Sequence, residues 1–185
     1  MAFLVFFGAV FAGLTLAQDD EGLSSMRLPF ERGSAVPPAV SVFYDLDYSG
    51  VGNQLPQRVI ACIWPDGRAV WSGNRSEGGP PYFTGYVDPK RLREFMAIFD
   101  ARGLFQRKVW FSQAVDAPHH DIHIIDGQRH VALCASAGYS MDIQTPFLIH
   151  KVEHALACFR QQLEQLLPRE GKPLSTFDYE LHRLP

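Results

Sequence analysis

Hydrophobic and polar residues alternate in short runs over much of the chain, and two longer segments repeat hydrophobic residues with helical spacing. Alternation with a period of two is typical of β-strands that bury one face. It predicts strands at residues 39–48, 58–64, 68–72, 82–87 and 109–115, and a hairpin at 122–136. The helical segments begin at Asp88-Pro89 and Thr145-Pro146, where a residue able to cap a helix precedes a proline at its first position. Gly103 and Pro168 are placed to end these helices.

Strands that come in runs, each run followed by one helix, are typical of the α+β class. We therefore predict a single α+β domain over residues 39–168, in which an antiparallel sheet carries two amphipathic helices on one face. Residues 18–38 are polar and rich in turn-forming residues, which predicts a flexible lead-in. The tail at residues 169–185 alternates only weakly, so it is either a last strand or irregular.

The two hairpins resemble each other at a distance of sixty residues, because their turns are Asp66-Gly67 and Asp126-Gly127. An Asp-Gly pair between two strands is typical of a two-residue turn. A helix follows each hairpin, which suggests an internal duplication of a β-hairpin-plus-helix unit. Asp-Gly hairpins are also common by chance, and the α+β prediction does not depend on the duplication.

The N-terminal residues 1–17 are almost wholly apolar and carry no charge, and a polar segment follows them. Small residues at Thr15 and Ala17 are typical of a signal-peptide cleavage site. This pattern predicts a secreted or periplasmic protein with no membrane association after cleavage. The alternative is a retained N-terminal anchor, since the usual positive charge before the apolar run is missing.

The composition limits the classes of partner. Seventeen basic and twenty acidic residues leave the chain close to neutral, and no basic cluster is present. Nucleic acids and anionic membrane surfaces are therefore not expected as partners. The three cysteines are too few for a disulfide scaffold and are typical of small buried hydrophobic residues.

Six of the seven histidines lie between residues 119 and 154. A two-residue turn at Asp126-Gly127 places His123 opposite His130 and buries an apolar set on the other face of the hairpin. The members of that set are Ile122, Ile124, Val131 and Leu133. The same register puts His119 opposite Cys134, about 13 Å further along the strand.

Directly opposed side chains lie about 5 Å apart, so His123 and His130 could share a metal ion, with Asp121 as a third ligand. The metal would be zinc or another transition metal, because imidazole and carboxylate ligands suit these ions. The alternative is a solvated polar face on which histidines are scattered.

If the duplication is real, Ile63 and Val70 occupy the positions of His123 and His130. An apolar patch at these two residues predicts an interaction face that is covered by the tail, a protein partner or a second copy in a homodimer. The competing explanation is a first hairpin that is buried on both faces.

Two further motifs have simpler explanations. Residues 150–154 have the H-x-x-E-H spacing of inverted zinc peptidases, but a solvent-exposed helix face is the favoured explanation for so short a motif. Residues 45–53 resemble part of a calcium loop, although Pro56 stands where a bidentate glutamate belongs. The sequence has no nucleophile elbow, phosphate loop or dinucleotide fingerprint.

The segments D-G-R-A-V-W-S at 66–72 and G-G-P-P-Y-F-T-G at 78–85 resemble those of small exported bacterial proteins of uncharacterised function. The resemblance covers residues 58–105 and implies export and a single domain. It assigns no functional residue, because the resembled proteins have no assigned activity.

Two functional hypotheses follow from the sequence. The first is an exported, non-catalytic domain that requires no cofactor and binds another macromolecule or an envelope component. The second is a metal-binding protein, including a metal-dependent hydrolase, that uses the histidines of the second hairpin.

Overall fold

The computed structural model describes residues 27–45, 57–106, 108–112, 118–136 and 147–183. The predicted signal sequence at 1–17 lies outside these residues. The strands are β1 (Arg27–Glu31), β2 (Val40–Asp45), β3 (Arg58–Ile63), β4 (Arg68–Ser72), β5 (Tyr82–Tyr86), β6 (Val109–Ser112), β7 (His119–Asp126), β8 (Arg129–Ser136), β9 (Lys172–Leu174) and β10 (Tyr179–Arg183). The helices are α1 (Pro89–Ala101) and α2 (Phe147–Leu166), and a short 3-10 helix spans Leu104–Gln106.

Strand β2 lies at the centre of the main sheet, because both hairpins pair with it. The order of the eight strands is β6-β8-β7-β2-β3-β4-β5-β9. All neighbours are antiparallel except β6 and β8, which run parallel. Strands β1 and β10 form a separate two-stranded ribbon. The predicted α+β class is confirmed.

The helices pack on one face of the sheet and form what we call the helix-side core. Phe95 and Phe99 of α1 contact Phe159 of α2, with ring centroids 5.3 and 5.5 Å from that of Phe159. The predicted start of α1 is confirmed, since the carboxylate of Asp88 accepts a hydrogen bond of 2.8 Å from the backbone N–H of Lys90. The predicted start of α2 at Thr145-Pro146 lies outside the described residues.

The first hairpin does not have the predicted two-residue turn. Its loop contains three residues, Pro65, Asp66 and Gly67, and Gly67 has a φ of +92°. A type I turn followed by a left-handed glycine is a common solution for a three-residue hairpin loop. The added residue changes the register, so Ile63 lies opposite Ala69 and not opposite Val70.

This register contradicts the predicted interaction face. Successive residues of a strand point to opposite faces, so Ile63 and Val70 lie on different sides of the sheet. Ile63 belongs to the helix-side core, whereas Val70 packs on the other side. Both side chains are buried within the chain, at 0% and 2% exposure.

The C-terminal tail covers the first hairpin on the sheet face opposite the helices, which we call the outer face. The buried residues there form a tail-side core, and they are Phe43, Val59, Cys62, Trp64, Val70 and Tyr82. Leu174, Phe177 and Tyr179 of the tail pack against this core. The first hairpin is therefore buried on both faces, and the tail provides the cover.

The tail and the end of the lead-in contribute strands to the fold. The tail contributes β9 to the sheet edge and β10 to the ribbon with β1. Residues 27–31, at the end of the lead-in predicted to be flexible, pair with a segment that lies about 150 residues away in sequence. Hydropathy patterns of either segment alone carry no information on such a partner.

Strand β2 pairs with the first strand of each hairpin, β3 on one side and β7 on the other. Val40 pairs with Ile63 on one side and with Ile124 on the other. The position equivalent to Ile63 is thus Ile124, and not His123 as the sixty-residue alignment predicts. Duplication itself stays a prediction.

The segments at 66–72 and 78–85 are built into the packing of this sheet. Ser72 donates a hydrogen bond from its hydroxyl to the carbonyl oxygen of Gly79. The Trp71 ring packs so closely on Gly171 that a Cβ there would lie 2.5 Å from the ring. These residues therefore have structural roles.

We expect Phe177→Ala to lower the free energy of unfolding by about 2 kcal/mol, because the ring is half-buried against Trp64 and Tyr82. Urea unfolding of the full chain measures this loss. The control is Val36→Ala at an exposed position, for which a change within about 0.5 kcal/mol is expected. Equal stability of Phe177→Ala and the parent would contradict the covering role of the tail.

Candidate metal site

Strand β7 carries a polar cluster on the outer face, beside the tail-side core. Ile122 and Ile124 point into the helix-side core. Because side chains alternate along a strand, His119, Asp121 and His123 point to the outer face. The cluster is not solvated, as all three residues are buried, with exposures of 8%, 8% and 2%. The alternative of a solvated face with scattered histidines does not hold for these three residues.

The register of the second hairpin differs from the predicted one by two residues. The loop consists of Gly127 and Gln128, and Asp126 lies opposite Arg129. A shift of two residues keeps every side chain on its predicted face. It changes the cross-strand partners, however, and places Asp121 directly opposite Cys134.

Three potential ligands converge in this register. The Nε2 atom of His119 lies 3.5 Å from Oδ2 of Asp121. Three ligand atoms, one from each residue, lie within 4.8 Å of one another, and the residues are His119, Asp121 and Cys134. The sequence had predicted His119 opposite Cys134, with Asp121 between this pair and the pair of His123 and His130. The missed signal is the position of the two-residue turn, which lies one residue further along the chain than predicted. All three residues were already on the predicted outer face.

The electrostatics of the cluster favour an ionised carboxylate. Burial by itself raises the pKa of Asp121, but hydrogen bonds from His119 and Cys134 and the nearby imidazoles hold the pKa below its ordinary value. The Oδ1 atom of Asp121 is buried and has no hydrogen-bond partner among the described residues. A buried charged oxygen without a partner is a costly arrangement that a cation would relieve.

The predicted pair His123 and His130 does come together, although the two residues are diagonal and not directly opposite. Their rings stack with centroids 5.4 Å apart, and Nδ1 of His123 lies 3.1 Å from Nε2 of His130. Burial lowers the pKa of each ring to about 4, so both imidazoles are neutral at pH 7 and share one hydrogen bond. The set of three ligands found among the described residues does not include this pair.

The donor set of His119, Asp121 and Cys134 fits zinc. Zinc binds cysteine sulfur, histidine nitrogen and carboxylate oxygen in tetrahedral sites, with bonds to nitrogen and oxygen of about 2.0–2.2 Å. Such bonds place neighbouring ligand atoms about 3.4 Å apart, close to the 3.5 Å between His119 and Asp121. Three protein ligands leave a fourth position for water or another molecule. Calcium and magnesium are not favoured, because they prefer oxygen ligands.

The other two candidate motifs cannot be placed. The H-x-x-E-H residues at 150–154 lie in α2, but their side chains are outside the described part of the structure. Most of the calcium-like segment at 45–53 also lies outside it.

Comparison of the chain with protein-family models finds no match, and comparison with curated proteins finds none either. Neither α1 nor α2 of the described structure is sufficiently long and apolar to cross a membrane.

Proposed function

We propose that this protein binds zinc or another transition metal ion through His119, Asp121 and Cys134. The observation that carries the proposal is the convergence of three buried ligand atoms of different residues within 4.8 Å. The unpartnered Oδ1 atom of Asp121 supports it independently, because that atom is buried as a charged acceptor without a donor.

The neighbouring histidine pair would act on the metal site indirectly. His123 is electrostatically coupled to Asp121 and forms a hydrogen bond with His130. A group that contacts a metal ligand without binding the metal orients and polarises that ligand. Compared with the set predicted from sequence, Asp121 remains a ligand, while His123 and His130 become supporting residues.

The proposal replaces the first functional hypothesis, binding of a macromolecule at an apolar face. Ile63 and Val70 are covered by the helices and by the tail of the same chain, so no exposed apolar patch at these two residues supports a partner. Export stays our proposal on the basis of residues 1–17 alone, and N-terminal sequencing of the protein recovered outside the cytoplasm would test it.

The test is metal binding by the full chain without an affinity tag. We expect one equivalent of zinc per chain, and a thiolate-to-metal charge-transfer band when cobalt replaces zinc. Changes next to a ligand lower metal affinity about 10- to 100-fold, so loss of a ligand in His119→Ala or Cys134→Ser should exceed about 100-fold. The cobalt band should disappear in Cys134→Ser because the band requires the sulfur ligand.

The matched control is His130→Ala, which keeps all three ligands and should lower zinc affinity by no more than about tenfold. Two results would overturn the proposal. One is the absence of zinc or cobalt binding. The other is loss of binding in a His123→Ala/His130→Ala variant together with full binding in His119→Ala, which would favour the site predicted from the sequence.

A further inference from the structure

A cavity of about 290 Å³ lies on the helix side of the sheet, between the central strands and α2. Its floor is apolar and includes Val42, Ile60, Ile122 and Phe159. A cavity of about 150 Å³ already accepts a benzene-sized molecule. The volume here therefore suits a ligand with an apolar body of about six to ten carbon atoms.

The polar groups of the cavity are mainly cationic. Arg75 and Arg160 line it, and Glu164 is the single acidic residue among its described lining. The Nη1 atom of Arg75 is buried and has no hydrogen-bond partner within the described part of the chain. The guanidinium group of Arg75 also lies over the Trp71 ring, 5.4 Å from its centroid.

His120 fixes the position of the second guanidinium group. The Nη2 atom of Arg160 lies 2.8 Å from both nitrogens of the His120 ring. The Nε2 atom of that ring is 2.9 Å from the carbonyl oxygen of Ser76, to which it donates. The Nδ1 atom is then the acceptor for Arg160. This chain of contacts connects β7, α2 and the loop that carries Arg75.

The combination of an apolar floor and a guanidinium group whose buried Nη1 atom has no hydrogen-bond partner among the described residues defines the chemistry of a ligand. A carboxylate accepts two parallel hydrogen bonds from a guanidinium group, and its hydrocarbon body would occupy the floor. We propose that this cavity binds a small monocarboxylic acid with an apolar body, held at its carboxylate by Arg75 with help from Arg160. Inorganic anions are disfavoured because they would leave the apolar floor unfilled.

This site is independent of the proposed metal site. The side chains of His119 and Asp121 point to the outer face, whereas His120 between them points to the cavity. A chelator therefore removes any metal ion that could bind the carboxylic acid, and the remaining binding is that of the cavity.

The test is calorimetric titration of the full chain with octanoate in the presence of EDTA. Acetate, which lacks the apolar body, and octanol, which lacks the charge, are the matched ligands. We expect octanoate to bind at least tenfold more tightly than either of them. Arg75→Gln should weaken octanoate binding at least tenfold, and Arg93→Gln at an exposed position of α1 should leave it unchanged.

Three results would overturn the proposal. If octanoate and octanol bind with equal affinity and Arg75→Gln has no effect, only the apolar floor contributes to binding. Inorganic phosphate binding as tightly as octanoate would contradict the class of ligand. If the parent chain does not bind octanoate at millimolar concentration, and Arg75→Gln is as stable as the parent, the cavity is not a binding site for this class of ligand.

Discussion

Lowering the pH from 7 to 4 is expected to destabilise the metal-free protein by about 5 kcal/mol, which is the whole stability of many domains. The cause is a set of three neutral histidines, the buried His120 and His123 and the partly buried His130, whose pKa values are each lowered to about 4, mainly by burial. His123 is the most buried of them, and its shift corresponds to about 3 kcal/mol. His130 contributes less to the loss of stability because its side chain is only partly buried.

The direction of the effect follows from proton binding. An unfolded histidine has a pKa of about 6.5, so between pH 6.5 and 4 the unfolded chain binds more protons than the folded one. The contribution of these histidines to the free energy of unfolding is therefore complete above about pH 6.5, and it is lost as the pH drops towards 4. Aspartate and glutamate side chains titrate mainly at the lower end of this window.

Urea unfolding at a series of pH values, with a chelator present, measures this dependence. The control is a His123→Leu/His130→Leu variant, in which the loss between pH 7 and pH 4 should be clearly smaller. Fluorescence of the three tryptophans gives a convenient signal of unfolding. A free energy of unfolding that stays constant over this range would contradict the neutral, buried state of the histidines.

Gly67→Ala is expected to lower the free energy of unfolding by about 3 kcal/mol or more. Its φ of +92° is strained for alanine, and a Cβ would lie 2.2 Å from the carbonyl oxygen of Val87. This backbone is not free to move, because the N–H of Val87 donates a hydrogen bond of 2.8 Å to the carbonyl of Gly67. Thermal or urea unfolding measures the loss.

The chain supplies a matched control in the other Asp-Gly hairpin. Gly127 also has a positive φ, +61°, but a Cβ there would meet nothing within 4 Å. Gly127→Ala should therefore cost only the backbone strain, about 1 kcal/mol. If both variants lost the same stability, the close contact with Val87 would not be part of the folded structure.

Sequence reasoning found the elements of the sheet and helices because their patterns are local. The cap at Asp88, the helix stripe through Phe95 and Phe99, and the core-facing residues Ile122 and Ile124 all depend on neighbours within a few residues. Strand β1 could not be found in this way, since its partner β10 lies at the opposite end of the chain.

The candidate site was predicted only in part, because alternation along a strand is a local pattern whereas the register between two strands is not. Alternation along β7 correctly put His119, Asp121 and His123 on one face. Which residue of β8 lies opposite Asp121 depends on which two residues form the loop, and an Asp-Gly pair does not determine this. The loop of the second hairpin consists of Gly127 and Gln128 rather than Asp126 and Gly127.

The sequence by itself determined the class of the fold, the placement of most elements and the face of the second hairpin on which chemistry is concentrated. Local propensity, capping and periodicity act over a few residues, and they are present in the sequence before the chain folds. Only the tertiary structure decided that Asp121 lies opposite Cys134 and that His123 and His130 are diagonal to each other. It also decided that the tail buries the outer face of the first hairpin. Both outcomes depend on register and on contacts between distant segments, which are set when the whole chain packs.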